Sequence, residues 1–513
     1  MNPKQKLISL FLEQNYLLSE EILESLSPEE TLTIITELSR TKRNIAVITK
    51  DVAHSFDTST APPSTQHEQE IKAIPSVSVG ISVEKQESNI QNPIKIVCCH
   101  NEITPKRTPD HFVQYFTHRY KTIERILRAR IELQNAASII RIQEKKDKEP
   151  IACIGMVYEK KETKNKNILL TLEDPTGFVT CLVKNSHNEL YQQARDITPD
   201  EVLGITGRKQ GDLVYIDSLL WPDVPVTKEL KKSPDEVYAV FMSDMEFGSK
   251  MFLEDAFNRF LLWINGELGS EAQREATKKI KYLFIVGDLV NGVGIYPTQE
   301  KDLAITDVYK QYEVMARHLR QIPSTITIVA CPGNHDATRI SEPQPILAKE
   351  YVSPLLELSN IHLVSNPSWI NIHASPAFPG FDVLMYHGFS FIYYANNIES
   401  IRTAGGQERA DLIMKYLLKR RHMAPTHGSN QYIPEAKADP LVIDKVPDFF
   451  ISGHLHQVAV AQYKNITLMN CSAWISKTDF QEKMGIEPKP GRLILVNLQT
   501  RETKIITFCK EGQ

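Results

Sequence analysis

Tyr282-Leu283-Phe284-Ile285-Val286-Gly287-Asp288-Leu289-Val290-Asn291 reads as a β-rich apolar run that ends at a glycine and then a carboxylate. The arrangement recurs. Val237 to Met242 runs into Ser243-Asp244-Met245-Glu246, and Ile326 to Ala330 into Gly333-Asn334-His335-Asp336. Val383 to Tyr386 leads to His387-Gly388, and Phe449 to Ser452 to Gly453-His454-Leu455-His456. In an open α/β sheet the strand ends form one crevice, so side chains far apart in sequence converge there. Gly-Asp after a strand is by itself usually a turn, and a lone Gly-Asn-His-Asp is as readily a polar loop as a set of ligands. The signal is the set, in which each ligand type follows a strand.

Five such ends supply carboxylate, amide and imidazole. That mixture suits borderline divalent ions such as manganese, with magnesium as the alternative, better than a thiolate zinc site or an all-oxygen calcium site. Two ions held about 3.5–4 Å apart can activate water and neutralise charge on a phosphodiester during in-line attack. The implied chemistry is hydrolysis of a phosphate ester. His454 and His456 alternate, so on a strand both rings would face one side. His362, His373, His422 and His427 lack this context and read as ordinary core or surface histidines.

The surrounding chain of 513 residues is too long for one ordinary core, and 42% hydrophobic with 24% charged residues is a globular composition. A net charge of -4 requires that any grip on nucleic acid come from local basic patches or bound metal. Seven cysteines without a CxxC pair argue against zinc ribbons and a disulfide framework, and fit a reducing interior. No apolar stretch approaches the roughly 20 residues that span a bilayer, and the start lacks a signal-peptide pattern. The expectation is a cytoplasmic protein with no membrane contact.

Domain organisation follows from texture. Residues 1–50 read as a small helical domain, with Ser27-Pro28-Glu29-Glu30 as a helix start. Residues 51–95, rich in Ser, Thr, Pro, Gln and Glu, read as a flexible linker. Residues 96–150 read as a helical connector: Phe112, Phe116, Tyr120, Ile123, Leu127 and Ile131 form a packed stripe, and Arg119, Arg125, Arg128 and Arg130 a side that is solvated or meets DNA or a partner. Five short β-runs within 151–225, with a turn at Asp174-Pro175-Thr176-Gly177, suggest a small barrel such as an OB-fold, suited to packing as much as to DNA. Residues 234–513 hold the strand-end set. The fold class is α/β and β multidomain.

The ordered set Asp244, Asp288, Asn334-His335, His387 and His454-x-His456 resembles the calcineurin-like metallophosphoesterases, whose domain is a two-sheet α/β fold. The strings from Gly287 to Pro297, from Pro332 to Ala337 with Glu342-Pro343-Gln344-Pro345, and from Leu417 to Pro425 are similar to those of the small subunits of archaeal family D DNA polymerases, over roughly Asp110 to the C-terminus. The resemblance implies a 3′–5′ exonuclease that proofreads for a larger polymerase subunit, acting on single-stranded or mismatched DNA 3′ ends. It implies one ion on Asp244, Asp288 and His456, a second on Asp288, Asn334, His387 and His454, and His335 as general acid or phosphate-stabilising group. One departure stands out. The family's first motif reads Asp-x-His, whereas this chain has Asp244-Met245-Glu246, which adds negative charge beside the ions. The competing expectation is a catalytically weak or inactive scaffold that holds the large subunit.

Overall fold

The computed structural model describes residues 94–100, 106–435, 438–478, 481–482 and 485–509, and in an N-terminal unit, Met1–Lys85, the parallel pairing of Leu17–Leu18 with Val47–Ile48. The expected N-terminal helices and the linker otherwise lie outside the described residues. Within the expected connector, the chain first forms a strand, β1 (Ile94–Cys99), which straddles the boundary drawn at residue 95 and joins a sheet far along the sequence. Helix α1 (Pro109–Leu127) then starts at Thr108 with a proline at its first position. It stops four residues short of Ile131, which is 84% exposed rather than part of the packed stripe. A short helix, α2 (Ile139–Gln143), follows.

Five strands close into a barrel: β2 (Pro150–Glu162), β3 (Ile168–Asp174), β4 (Gly177–Val183), β5 (Val202–Gln210) and β6 (Leu213–Leu220), in the order β2-β3-β4-β6-β5. The turn between β3 and β4 is held by Asp174 Oδ1, which accepts from Thr176 N at 2.7 Å. Inward residues such as Cys153, Leu170, Leu172, Cys181, Ile205 and Val214 fill the interior.

Beyond the barrel lie two six-stranded sheets. The first contains β7 (Tyr238–Met242), β8 (Ile280–Val286), β9 (Thr327–Cys331) and β10 (Ile361–Leu363), all parallel. The second contains β11 (Ser368–Ile372), β12 (Phe381–Met385), β13 (Phe449–Ser452), β14 (Ala459–Tyr463) and β15 (Ile466–Asn470), together with β1. The chain then returns to the first sheet through β16 (Arg492–Asn497) and β17 (Thr503–Thr507). The apolar runs are continuous because both faces of each strand are covered. In β8, Tyr282, Phe284 and Val286 pack in the core between the sheets, while Leu283 and Ile285 pack in a second core shared with outer helices. In β12 and β13, Val383, Met385, Phe449 and Ile451 face the inner core, and Leu384 and Phe450 the opposite layer.

The stretch from Leu417 to Pro425 joins the barrel to these sheets. Arg420 is buried with its guanidinium 2.7 Å from Glu201 Oε2 of the barrel; the same oxygen accepts from Trp221 Nε1 at 3.1 Å, and Oε1 from Thr198 N at 2.7 Å. Arg421 donates to the carbonyls of Ile443 and Asp444. Arg119, expected on a side of α1 that is solvated or meets DNA or a partner, is instead buried: it pairs with Asp439 at 2.7 Å, and His422 Nε2 lies 2.8 Å from the same carboxylate. No helix among the described residues is long and apolar enough to cross a membrane.

Candidate metal centre

The C-terminal ends of β7, β8 and β9 in one sheet, and of β12 and β13 in the other, deliver Asp244, Asp288, Asn334, His335, His387 and His454 to one buried place between the sheets. His387 is the meeting point. Its Nε2 lies 3.2 Å from Asp288 Oδ2 and 3.1 Å from Asn334 Oδ1, while Nδ1 lies 2.9 Å from the carbonyl of Val286. A ring held by a carbonyl at Nδ1 presents its Nε2 lone pair to a cation. Asp288 Oδ1 accepts from His335 N at 2.8 Å, and both oxygens of Asp244 accept from His454 N at 3.1 Å. Ser243 Oγ donates to Asp244 Oδ2.

The local backbone is bent to make this possible. Asp244, Glu246, Asp288, His454 and His456 have φ of 47°, 46°, 49°, 70° and 54°, in the left-handed region that non-glycine residues rarely occupy. Each such residue costs on the order of 1–3 kcal/mol, and such strain concentrates at functional sites. His454 and His456 therefore lie on a tight turn past the end of β13, not alternating along a strand as the spacing suggested. Glycines supply the room: a Cβ at Gly287 would overlap the His387 ring, one at Gly333 the Asp288 carboxylate, and one at Gly453 that of Asp244.

Burial and neighbours pull the titrating groups apart. Burial raises the Asp244 carboxyl to about 6, with the Asp288 charge adding to it against His387 and His456. Burial also opposes the charge on Asp288, but His387 and His335 overcome it and hold this carboxyl well below the usual range. His387 is pushed up to about 10 despite its burial, by Asp288, and His456 to about 9, by Glu246 and Asp244. His454 goes the other way, down to about 3, because it is buried and faces the His387 charge. Asp288 and Glu246 raise His335, again against its burial.

Asp288, His387 and His454 each offer a donor atom within 4.8 Å of the others, and His454 Nε2 is buried with no hydrogen-bond partner among the described residues. A buried, unpaired imidazole nitrogen beside a carboxylate and an amide oxygen fits a divalent cation. Asp244, Glu246 and His456 form a separate group. His456 Nε2 is 3.2 Å from Glu246 Oε1 and 3.6 Å from Asp244 Oδ1, and Glu246 Oε2 accepts from Asn291 Nδ2 at 2.6 Å. Gln481 Nε2 donates to His456 Nδ1 at 2.8 Å.

Several contributors escaped the sequence reading. Asp336, adjacent to His335, is not among the grouped donors: it accepts from Gly333 N and Leu289 N at 2.8 and 3.1 Å and from Tyr312 Oη at 2.9 Å, fixing the loop around Asp288. Burial, with Asp288 nearby, raises it to about 7. Asn291 was within reach, since it ends the Gly287-Asp288-Leu289-Val290-Asn291 string. Gln481 carried no local signal.

Most of the two sheets, and all the strand-end ligands, fall within residues 239–460, which match the family of DNA polymerase alpha/epsilon B subunits. Over these residues the chain is similar to polymerase B subunits. A DNA polymerase II small subunit of Methanothermobacter thermautotrophicus is 39% identical over 385 residues, covering 75% of this chain and 77% of its own. Another from Archaeoglobus fulgidus is 37% identical over 384 residues, covering 75% and 74%, and one from Halobacterium salinarum is 32% identical over 400 residues, covering 77% and 74%. The chain belongs to this family, the small subunits of the archaeal family D DNA polymerases. Among solved structures, an asparaginyl-tRNA synthetase from Pyrococcus horikoshii matches 17% of this chain and 22% of its own at a TM-score of 0.16 and 18% identity, too slight a likeness to argue from.

Proposed function

We propose that this chain is the proofreading subunit of a two-subunit polymerase: a calcineurin-like metallophosphoesterase that removes nucleotides from single-stranded or mismatched DNA 3′ ends. A small subunit implies a larger partner, which would carry nucleotidyl transfer. The observation that supports nuclease chemistry most is the buried, unpaired Nε2 of His454 beside Asp288, Asn334 and His387. In this reading Asp288, Asn334, His387 and His454 hold one ion, and Asp244, Glu246 and His456, with Asp288 bridging, hold the other; manganese fits the mixed donors best, with magnesium next. When bound, such a pair activates water and offsets phosphodiester charge.

The residues around it would handle the proton. His335 Nδ1 lies 2.9 Å from the Asn291 carbonyl, which leaves Nε2 for the substrate. Asp288 and Glu246 favour its imidazolium form, so it is suited to give a proton to the leaving 3′ oxygen. The seven free cysteines suit a cytoplasmic setting.

The test is release of nucleotide from a 5′-labelled primer with a mispaired 3′ end, in manganese, with and without the large subunit. The parent chain should shorten the primer, and Asp288→Ala and His335→Ala should not. A second reading, a scaffold with a detuned centre, is favoured by one observation: Glu246, in place of the family's histidine, sits 3.2 Å from His456 and adds a carboxylate to the centre. It predicts no shortening by the parent chain and normal assembly of both variants. Glu246→His separates the two, since a working but weakened centre should gain about tenfold or more in hydrolysis.

A further inference from the structure

The centre is assembled from two sheets whose shared core is apolar, and apolar packing is non-directional. Something must fix the loop at Asn334, from the first sheet, against the loop at His387, from the second. Glu342-Pro343-Gln344-Pro345, which sequence reading singled out without giving it a task, supplies that link. Gln344 and Asn366 exchange backbone hydrogen bonds at 2.7 and 3.0 Å. Gln344 Nε2 donates to the carbonyl of Gly333 at 2.9 Å and to that of Arg339 at 3.0 Å, and Gln344 Oε1 accepts from Asn366 Nδ2 at 2.8 Å. Asn366 Oδ1 in turn accepts from His387 N at 2.8 Å.

A side-chain relay therefore runs from Gly333, next to Asn334, through Gln344 and Asn366 to His387. Both amides are buried, at 2% and 0% exposure, and every amide atom has a partner, which leaves one orientation for each. Behind them Glu342 accepts from Tyr386 Oη at 3.1 Å, from Asn366 Nδ2 at 3.4 Å, and from Asn430. With every amide atom of Gln344 and Asn366 satisfied in burial, this link holds a single geometry.

We propose that Gln344 and Asn366 are positioning residues: they set the separation of Asn334 and His387, and thereby the affinity of that pocket for a divalent cation. This rests on the reading that the pocket holds a cation. Groups that orient ligands commonly change metal affinity by 10–100-fold when removed.

The test is manganese binding to the full chain, followed by calorimetry without substrate or partner, beside a thermal unfolding curve for each protein. Gln344→Met keeps the length and removes both donors; it should weaken manganese binding by about tenfold or more while remaining folded at the assay temperature. Asn366→Leu removes the acceptor for His387 N and the donor to Gln344 without adding charge beside Glu342; it should weaken binding to a similar extent, and it serves if Gln344→Met does not fold. Parent-like binding in these variants, with binding lost in Asp288→Ala, would overturn the positioning role and leave the cation reading intact. If the parent chain binds no manganese, the cation reading fails and the positioning role with it.

Discussion

Two regions of this molecule bury charge, and they do so on opposite terms. At the junction between barrel and sheets, buried charge is compensated: Arg119 pairs with Asp439, which also holds His422, Arg420 faces Glu201, and Arg421 donates to two backbone carbonyls. His422 donates from Nε2 and accepts at Nδ1 from Ala424 N, so the neutral ring is satisfied on both sides. At the strand ends, Asp244, Glu246 and Asp288 crowd together on left-handed backbone, and His454 Nε2 has no hydrogen-bond partner among the described residues. The junction is architecture. The strand ends keep an arrangement that stability alone would not select, and strained backbone and displaced pKa values of this kind cluster at functional sites in proteins generally.

Substitutions should therefore separate the two regions cleanly. Asp288→Asn should reduce nucleotide release at least about a hundredfold with only a small fall in thermal midpoint, because the amide oxygen still accepts from His335 N while the charge that pairs with His387 is lost. Primer digestion and calorimetry on the same preparation would check both halves; a large fall in midpoint would place Asp288 with the architecture instead. Arg119→Met should do the reverse, leaving Asp439 buried with less compensation and costing about 3–5 kcal/mol in denaturant unfolding, with parent-like digestion per folded molecule.

Acid should reach the junction through His422. Burial first, then the Arg119 charge, lowers this imidazole from 6.5 to about 4, so between those values the unfolded chain binds a proton that the folded chain refuses. The stability it contributes is full above about pH 6.5 and is lost as pH falls towards 4, amounting to about 3 kcal/mol at the acid end. Comparing unfolding at pH 7 and 4.5 should show a shallower acid decline in His422→Gln; equal declines would mean that another group carries the effect. The smallest effect is expected from Gly333→Ala, whose Cβ meets the Asp288 carboxylate: about 1–3 kcal/mol of strain, read as weaker manganese binding more than as a lower midpoint.

The strand ends were legible because the information is local. An apolar run covered on both faces must be continuous, and the turn that ends it must be built from glycine and small polar groups, so Gly287-Asp288 and Gly453-His454 announce themselves within a few residues. The barrel strands were legible for the same reason, although β2 runs on to Glu162. The fate of Arg119 was not legible. Its spacing on α1 fitted a solvated face, and only Asp439, 320 positions away, gives it a reason to be buried. Ile131 failed conversely, since its periodicity continued after the helix had stopped.

By itself, then, the sequence determined which side chains stand at the ends of the strands, because steric and hydrophobic constraints act between near neighbours. Tertiary structure alone decided what those side chains meet. It set His387 against both Asp288 and Asn334, placed Glu246 beside His456, and linked Gln344 to Asn366, because the energy of a buried polar group depends on partners that chain distance does not reveal.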